Sequence, residues 1–297
     1  MDNFDSTSSS TDYSTPPAQM TSTSHSYDWS PPQPSYIPYN PETNSKPKTK
    51  AIDPSNLPGG KKSLSGISLR SFLLGQAFSA SIILTFLAYW SSSALWRAPF
   101  FLASLALFHF LEYYITAAYN PQYATISAFL LSANGAAYNI AHGSAIAECV
   151  LGRLFLPEGY FRWTAAVFGG AKGQIIIGLL LTAVGQVVRS VAMIYAGPSF
   201  THKVQVERRD EHVLVKDGVY SVLRHPSYFG FFWWGIGTQL VLGNPFCFLA
   251  YVVVLWQFFS SRIQNEERHL IQFFGQDYID YRKRTWVGIP GISGSSY

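Results

Sequence analysis

Charge and cysteine are both scarce in this chain of 297 residues, and each scarcity excludes something. There are two cysteines, Cys149 and Cys247. Both lie in apolar surroundings, so they suit neither a disulfide framework nor a metal site, and no metal is expected. The opening residues lack a basic stretch followed by an apolar one, so no cleavable signal peptide is expected. Aliphatic side chains are almost missing from residues 1–65, which are rich in Ser, Thr, Pro, Tyr and Asn. Such a segment buries too little apolar surface to offset the entropy of ordering it, and it reads as a disordered tail. Averaged over the chain, 48% hydrophobic and 13% charged would suit a soluble protein with few charges. With the tail set aside, the remainder is far more apolar than that. The net charge of +4 says little about function, because where the charges lie matters more than their sum. Nucleic acid is not an expected partner.

The most informative shortage is local. No charged residue occurs in residues 226–261, and charges return abruptly as Arg262, Glu266, Glu267 and Arg268. A bilayer's hydrocarbon core is crossed by about 20 apolar residues, or somewhat fewer. Asn244-Pro245 near the middle is a turn signal, so 226–261 reads as a short helical hairpin whose ends emerge on one side. Upstream, residues 71–96 and 100–119 are apolar spans separated by Arg97-Ala98-Pro99, and Asn120-Pro121 ends the second. Residues 123–156 are rich in Ala, Gly and Ser, which lets helices pack closely in lipid, and they read as a bent or broken third span. Residues 173–196 make a fourth, interrupted only by Arg189 near its end. The expected fold is an all-α integral membrane protein of about six transmembrane helices. Its divisions are the tail 1–65, helices one to four in 66–200, and a catalytic region in 201–297.

Lys and Arg placement orients these spans. Lys46, Lys48, Lys50, Lys61, Lys62 and Arg70 precede span one. Lys203, Arg208, Arg209, Lys216 and Arg224 follow span four, and Arg282, Lys283 and Arg284 lie near the C-terminus. With six spans these groups share a face, which the positive-inside rule assigns to the cytosol together with both termini. The opposite loops hold Arg97, then Arg153, Arg162 and Lys172.

Within 201–224, Val204-Gln205-Val206 and His212-Val213-Leu214-Val215 are short and β-branched. Extended backbone there leaves N–H and C=O groups free for a planar polar ligand such as a nucleobase; a solvated loop with an interfacial foot is the plainer reading. His225-Pro226 suits a helix start, and Tyr228 to Trp234 suit an interfacial aromatic belt. Arg262 and Glu266 share a helix face at i, i+4. They read either as a surface ion pair or as an arginine fork presented to a carboxylate at the lipid surface. Leu270, Phe274, Tyr278 and Tyr281 around Gly275 suggest a C-terminal amphipathic helix. Glu112 and Glu148 are costly inside spans and can be functional, but hydrogen bonding to another helix is the favoured reading of both.

The last third of the chain closely resembles the isoprenylcysteine carboxyl methyltransferases of the endoplasmic reticulum. The resemblance rests on Phe200-Thr201-His202-x-Val204-Gln205, His212 to Val215, Gly218-Val219-Tyr220 and Arg224-His225-Pro226-Ser227-Tyr228. It continues through Gly235-x-Gly237-Thr238-Gln239, Asn244-Pro245, Arg262-x-x-x-Glu266-Glu267 and Phe273-Phe274-Gly275-x-x-Tyr278-x-x-Tyr281. The resemblance implies methyl transfer from S-adenosyl-L-methionine to the free carboxylate of a C-terminal prenylcysteine. It implies as substrates prenylated, proteolytically trimmed proteins, such as Ras/Rho-like GTPases or a lipopeptide pheromone, in a multi-pass endoplasmic reticulum enzyme surrounded by lipid. It assigns Gln205, His212, Val213, Leu214, Val215, Tyr220, His225, Pro226, Ser227, Tyr228 and Glu266 to the cofactor, and Arg262 to the substrate carboxylate. The pattern is also similar to membrane sterol reductases that use a nicotinamide cofactor. A non-catalytic binder of lipidated proteins is the third reading.

Overall fold

The computed structural model describes residues 52–208 and 212–293. Most of the expected tail lies outside these. Residues 52–63, inside its proposed bounds, form a 3-10 turn at Pro54–Asn56 and the cap of the first helix, whose Ser63 hydroxyl accepts from the Gly66 amide.

Eight α-helices occur among the described residues: α1 Leu64–Trp90, α2 Arg97–Tyr119, α3 Gly135–Phe155, α4 Arg162–Val167, α5 Gly170–Ala196, α6 Pro226–Leu242, α7 Pro245–Phe274 and α8 Gln276–Arg284. The only β pairing among the described residues is an isolated bridge between Leu223 and Trp286. Among the described residues four helices are long and apolar enough to cross a membrane: Leu64–Trp90, Ala94–Tyr119, Gly170–Ser199 and Pro245–Phe274. Helices α3 and α6 fall short of that measure for different reasons. The α3 helix carries Asn139, His142 and Glu148 among small residues, after two broken 3-10 turns at Pro121–Tyr123 and Ile126–Phe129. The α6 helix is highly apolar but has only 17 residues.

The core is built around α6, which is buried along most of its length, including Phe232, Trp234, Ile236, Gln239 and Leu240. Its partner is α5, and glycines set their approach. A Cβ on Gly185 would sit 2.5 Å from the Gly230 carbonyl oxygen and the Trp234 amide; one on Gly237 would sit 2.5 Å from the Thr182 amide. Backbone therefore touches backbone, the small-residue contact that substitutes for a hydrophobic driving force between helices in lipid.

Polar groups close the far end of α6, where helix carbonyls would otherwise lack partners. Arg97 donates to Val241 O at 3.2 Å, Arg153 to Leu242 O at 2.6 Å and Gln174 to Leu240 O at 3.1 Å. Beyond the Gly243-Asn244 turn, the Glu148 carboxylate accepts from the amides of Phe246 and Cys247 and so caps α7. Its packing role is that of a cap.

The expected hairpin differs at its second arm. Helix α7 does not stop at residue 261 but runs unbroken to Phe274, carrying Arg262 to Arg268 on the same rod. A change in composition marks a change of surroundings, not an end to the backbone hydrogen bonds. The break comes at Gly275, at φ 56°, a conformation glycine adopts without steric cost. The amphipathic segment is thus divided between the end of α7 and α8, where Tyr278 and Tyr281 face inward.

After α8 the chain forms a strap, residues 285–293. Trp286 exchanges backbone hydrogen bonds with Val222 and Arg224 at 2.9 Å each. The indoles of Trp233 and Trp256 donate to Gly288 O and Pro290 O, while Val287, Ile289 and Ile292 are buried.

Candidate functional site

Gly197-Pro198 turns the chain sharply out of α5, and the segment beyond it wraps over the ends of α6 and α7. Residues 212–216 belong to no helix, strand or turn. Among the described residues, Leu214 and Val215 spend no backbone group on a hydrogen bond, and the Val213 amide is held by the Ser199 hydroxyl. Pro226 at the first position of α6 fixes the turn that presents His225, Ser227 and Tyr228.

These pieces enclose one cavity. Its walls are Ser199 to Thr201, Lys203 to Gln205 and His212 to Val215, Tyr220, Arg224 to Tyr228, then Glu266, His269, Leu270, Phe273 and Phe274 of α7 with Tyr278 and Tyr281 of α8. Every residue that the resemblance assigned to the cofactor lines it. Arg262 does not; it lies on a second, adjoining cavity with Val204, Phe258 and Arg268.

Tyr228 joins the two. Its hydroxyl accepts from Arg262 Nε at 2.9 Å and donates to Glu266 Oε2. Arg262 and Glu266 share a helix face without pairing directly, because the phenol of another helix stands between them. Arg262 Nη2 donates to the His202 carbonyl, and the guanidinium lies over the rings of Tyr228 and Phe258. Its Nη1 has no protein partner among the described residues. Tyr220 donates to Ala192 O, and Tyr281 to Tyr220 O at 2.6 Å. Burial pushes the Tyr220 phenol well above its usual range, with the Glu266 charge acting in the same direction. It therefore acts as a donor.

Two buried ionic clusters hold the walls. In one, Glu267 is fully buried and its carboxylate takes Arg224 Nε at 2.7 Å, His225 Nε2 at 3.2 Å and Arg282 Nη1 at 3.6 Å. Arg224 also donates to Thr285 O and Ser293 O, tying the strap to the site. In the other, Glu112 of α2 is gripped bidentately by Arg189 of α5, and its Oε2 also accepts from His202 Nε2 at 2.8 Å. Arg189 Nη1 reaches the Ser227 hydroxyl at 3.0 Å. Sequence reasoning gave Glu112 a helix-packing role but missed its partner. The signal was there: one acid in span two, one base in span four.

The cavity's chemistry fits an adenosyl group bearing a positive charge. It offers the unspent backbone of Leu214 and Val215 for a base edge and the aromatic surfaces of Phe273, Phe274 and His212. Glu266 is the carboxylate on its wall. Among the described residues no group of three His, Cys, Asp or Glu is placed to hold a metal ion.

Residues 176–272 match the family model of the isoprenylcysteine carboxyl methyltransferases. The chain is 49% identical over 193 residues to a protein-S-isoprenylcysteine O-methyltransferase of Saccharomyces cerevisiae, covering 65% of this chain and 79% of that one. It is 39% identical over 229 residues to the protein of that name in Homo sapiens, covering 77% and 75%. A solved structure of a eukaryotic intramembrane Ras methyltransferase superimposes with a TM-score of 0.68 at 34% identity, over 78% of each chain.

Proposed function

This chain belongs to the isoprenylcysteine carboxyl methyltransferase family, and we propose on that premise how its residues share the work. It is a protein-S-isoprenylcysteine O-methyltransferase, esterifying the carboxylate of a prenylated C-terminal cysteine. The methyl donor in this reading is S-adenosylmethionine, which supplies a methyl group on a positively charged sulfur. Gln205, His212 to Val215, Tyr220, His225 to Tyr228 and Glu266 would hold it. The observation that carries the reading is that these dispersed residues line one cavity, with Arg262 on the adjoining one.

The chemistry asks little of the side chains beyond placement. A terminal carboxylate, with a pKa of about 3.3–3.7, is ionised at neutral pH, so no general base is needed. Arg262 would take one carboxylate oxygen on its unspent Nη1 and so orient the other toward the donor, placement being what the transfer demands. When bound, the donor would supply its methyl group to a carboxylate oxygen and be left as a neutral thioether beside the neutral ester. Glu266, held by the Tyr228 hydroxyl, would balance the donor's positive charge.

Substrates in this reading are prenylated proteins already trimmed to the cysteine, Ras/Rho-like GTPases or a lipopeptide pheromone among them. Helices α3 and α6 complete six crossings, the hairpin 226–261 being the intramembrane part of α6 and α7. The distribution of Lys and Arg supports cytosolic termini and a cytosolic cofactor cavity, in the endoplasmic reticulum membrane.

The deciding experiment is transfer of labelled methyl from S-adenosylmethionine to N-acetyl-S-farnesylcysteine by reconstituted protein. Base-labile label in the product is expected; folded protein that transfers none would remove the reading. Glu266→Ala is expected to weaken S-adenosylmethionine binding by about 10–100-fold, the worth of one charged hydrogen bond. Equilibrium titration measures it, and an unchanged affinity would take Glu266 out of the cofactor site.

A further inference from the structure

Two ligands must meet in one geometry, and one buried carboxylate is connected to the binding groups of both. Glu112 is 1% exposed. From its Oε2 a hydrogen bond of 2.8 Å runs to His202 Nε2, and the carbonyl of that same residue accepts from Arg262 Nη2. From its other side the bidentate Arg189 runs on to the Ser227 hydroxyl at 3.0 Å and, more weakly, to the Ser227 carbonyl at 3.3 Å. Ser227 lines the cofactor cavity. One branch thus ends on the arginine for the carboxylate, the other on the turn for the methyl donor.

Helix packing alone does not account for the arrangement. A bidentate arginine already satisfies a carboxylate, and the Glu112–Arg189 pair would join α2 to α5 unaided. The third bond goes instead to a half-buried residue in the segment after α5, where it anchors His202 by its ring and so steadies its carbonyl. Facing a carboxylate, Nε2 must carry a proton, so the imidazole is a donor whatever its charge. Arg262 has three donor nitrogens: Tyr228 holds Nε, His202 holds one N–H of Nη2, and Nη1 is left over among the described residues. The carbonyl of His202 therefore decides which way the remaining edge points.

We propose that Glu112 and His202 are positioning residues for methyl transfer, setting the Arg262 guanidinium through the His202 carbonyl in register with the cofactor wall held through Arg189 and Ser227. This rests on the reading of Arg262 as the residue that receives the substrate carboxylate.

The test compares full-length His202→Ala, which removes the imidazole but keeps the carbonyl, with His202→Gln, whose amide can still donate to Glu112. For each, kcat and KM for N-acetyl-S-farnesylcysteine, S-adenosylmethionine affinity and melting temperature are measured in reconstituted protein. His202→Ala is expected to lower kcat/KM by about 10²-fold, the loss that a ~1 Å misplacement brings, with cofactor affinity and melting unchanged. His202→Gln is expected to recover most of it. The double variant E112Q/H202A should lose no more than the worse single variant, as two residues on one path do. Wild-type kcat/KM in His202→Ala would overturn the proposal, as would a loss matched by equally poor cofactor binding or folding, or one that His202→Gln does not relieve. An Arg262→Ala variant run alongside separates the two readings. If it turns over normally, the assignment of Arg262 fails and the positioning role with it; if it is inactive while His202→Ala is normal, only the positioning role fails.

Discussion

Arg262→Ala loses about 10³-fold or more in kcat/KM for N-acetyl-S-farnesylcysteine, while S-adenosylmethionine binds about as before. The magnitude combines the lost charged hydrogen bond to the carboxylate, about 10–100-fold, with the misplacement of the reacting anion that follows, about 10²-fold. The selectivity comes from the walls, since Arg262 lines the adjoining cavity and not the one proposed for the cofactor. Lysine at this position should restore little. Its ammonium is a point charge, whereas Arg262 spends Nε on Tyr228 and Nη2 on His202 and still has an edge to offer. Initial rates across substrate concentration, with a separate cofactor titration, measure both halves. A near-normal rate would sink the role assigned to Arg262. A loss of cofactor affinity equal to the loss of rate would mean that Tyr228, released from its partner, no longer holds Glu266.

Glu267→Ala should be the most damaging single change to the fold of the site. Its carboxylate is shared by Arg224, His225 and Arg282 inside a buried cluster. Removing one partner of a buried ion pair leaves the other charge without compensation and costs about 3–5 kcal/mol. Arg224 would keep only the Thr285 and Ser293 carbonyls, so the strap should loosen with the cluster. The measurement is thermal unfolding in detergent beside limited proteolysis; early cleavage within residues 285–293 is the expected sign. Glu267→Gln keeps the shape and should fall between the two. Melting no lower than that of an exposed control such as Asp280→Ala would show that backbone carbonyls alone hold Arg224.

Hydropathy made the long apolar helices legible, because length without charge is what a bilayer selects. It failed where charge returned within a helix: Arg262, Glu266, Glu267 and Arg268 read as a boundary, yet α7 passes through them. The spacing of Arg262 and Glu266 was correct for a shared face but could not reveal that Tyr228 would come between them from α6. The cavity's residues were gathered by resemblance, since nothing in the spacing of Gln205 and Glu266 brings them together. The Glu112–Arg189 contact was half legible, as two lone opposite charges in separate spans. The strap was not legible at all. Its fastenings are carbonyl oxygens, which every residue has, met by Trp233, Trp256 and Arg224, which composition reads as belt or loop.

The glycine contact between α5 and α6 also bears on traffic. On the reading of Arg262 proposed above, a prenyl tail dissolved among lipid chains would reach it through some opening between helices. Parting α5 from α6 would strip Gly185 from Gly230 and Gly237 from Thr182 along the whole seam, where backbones already touch too closely to admit a single methyl group. That seam is the costliest one to open, so on this reading an isoprenoid would enter between other helices.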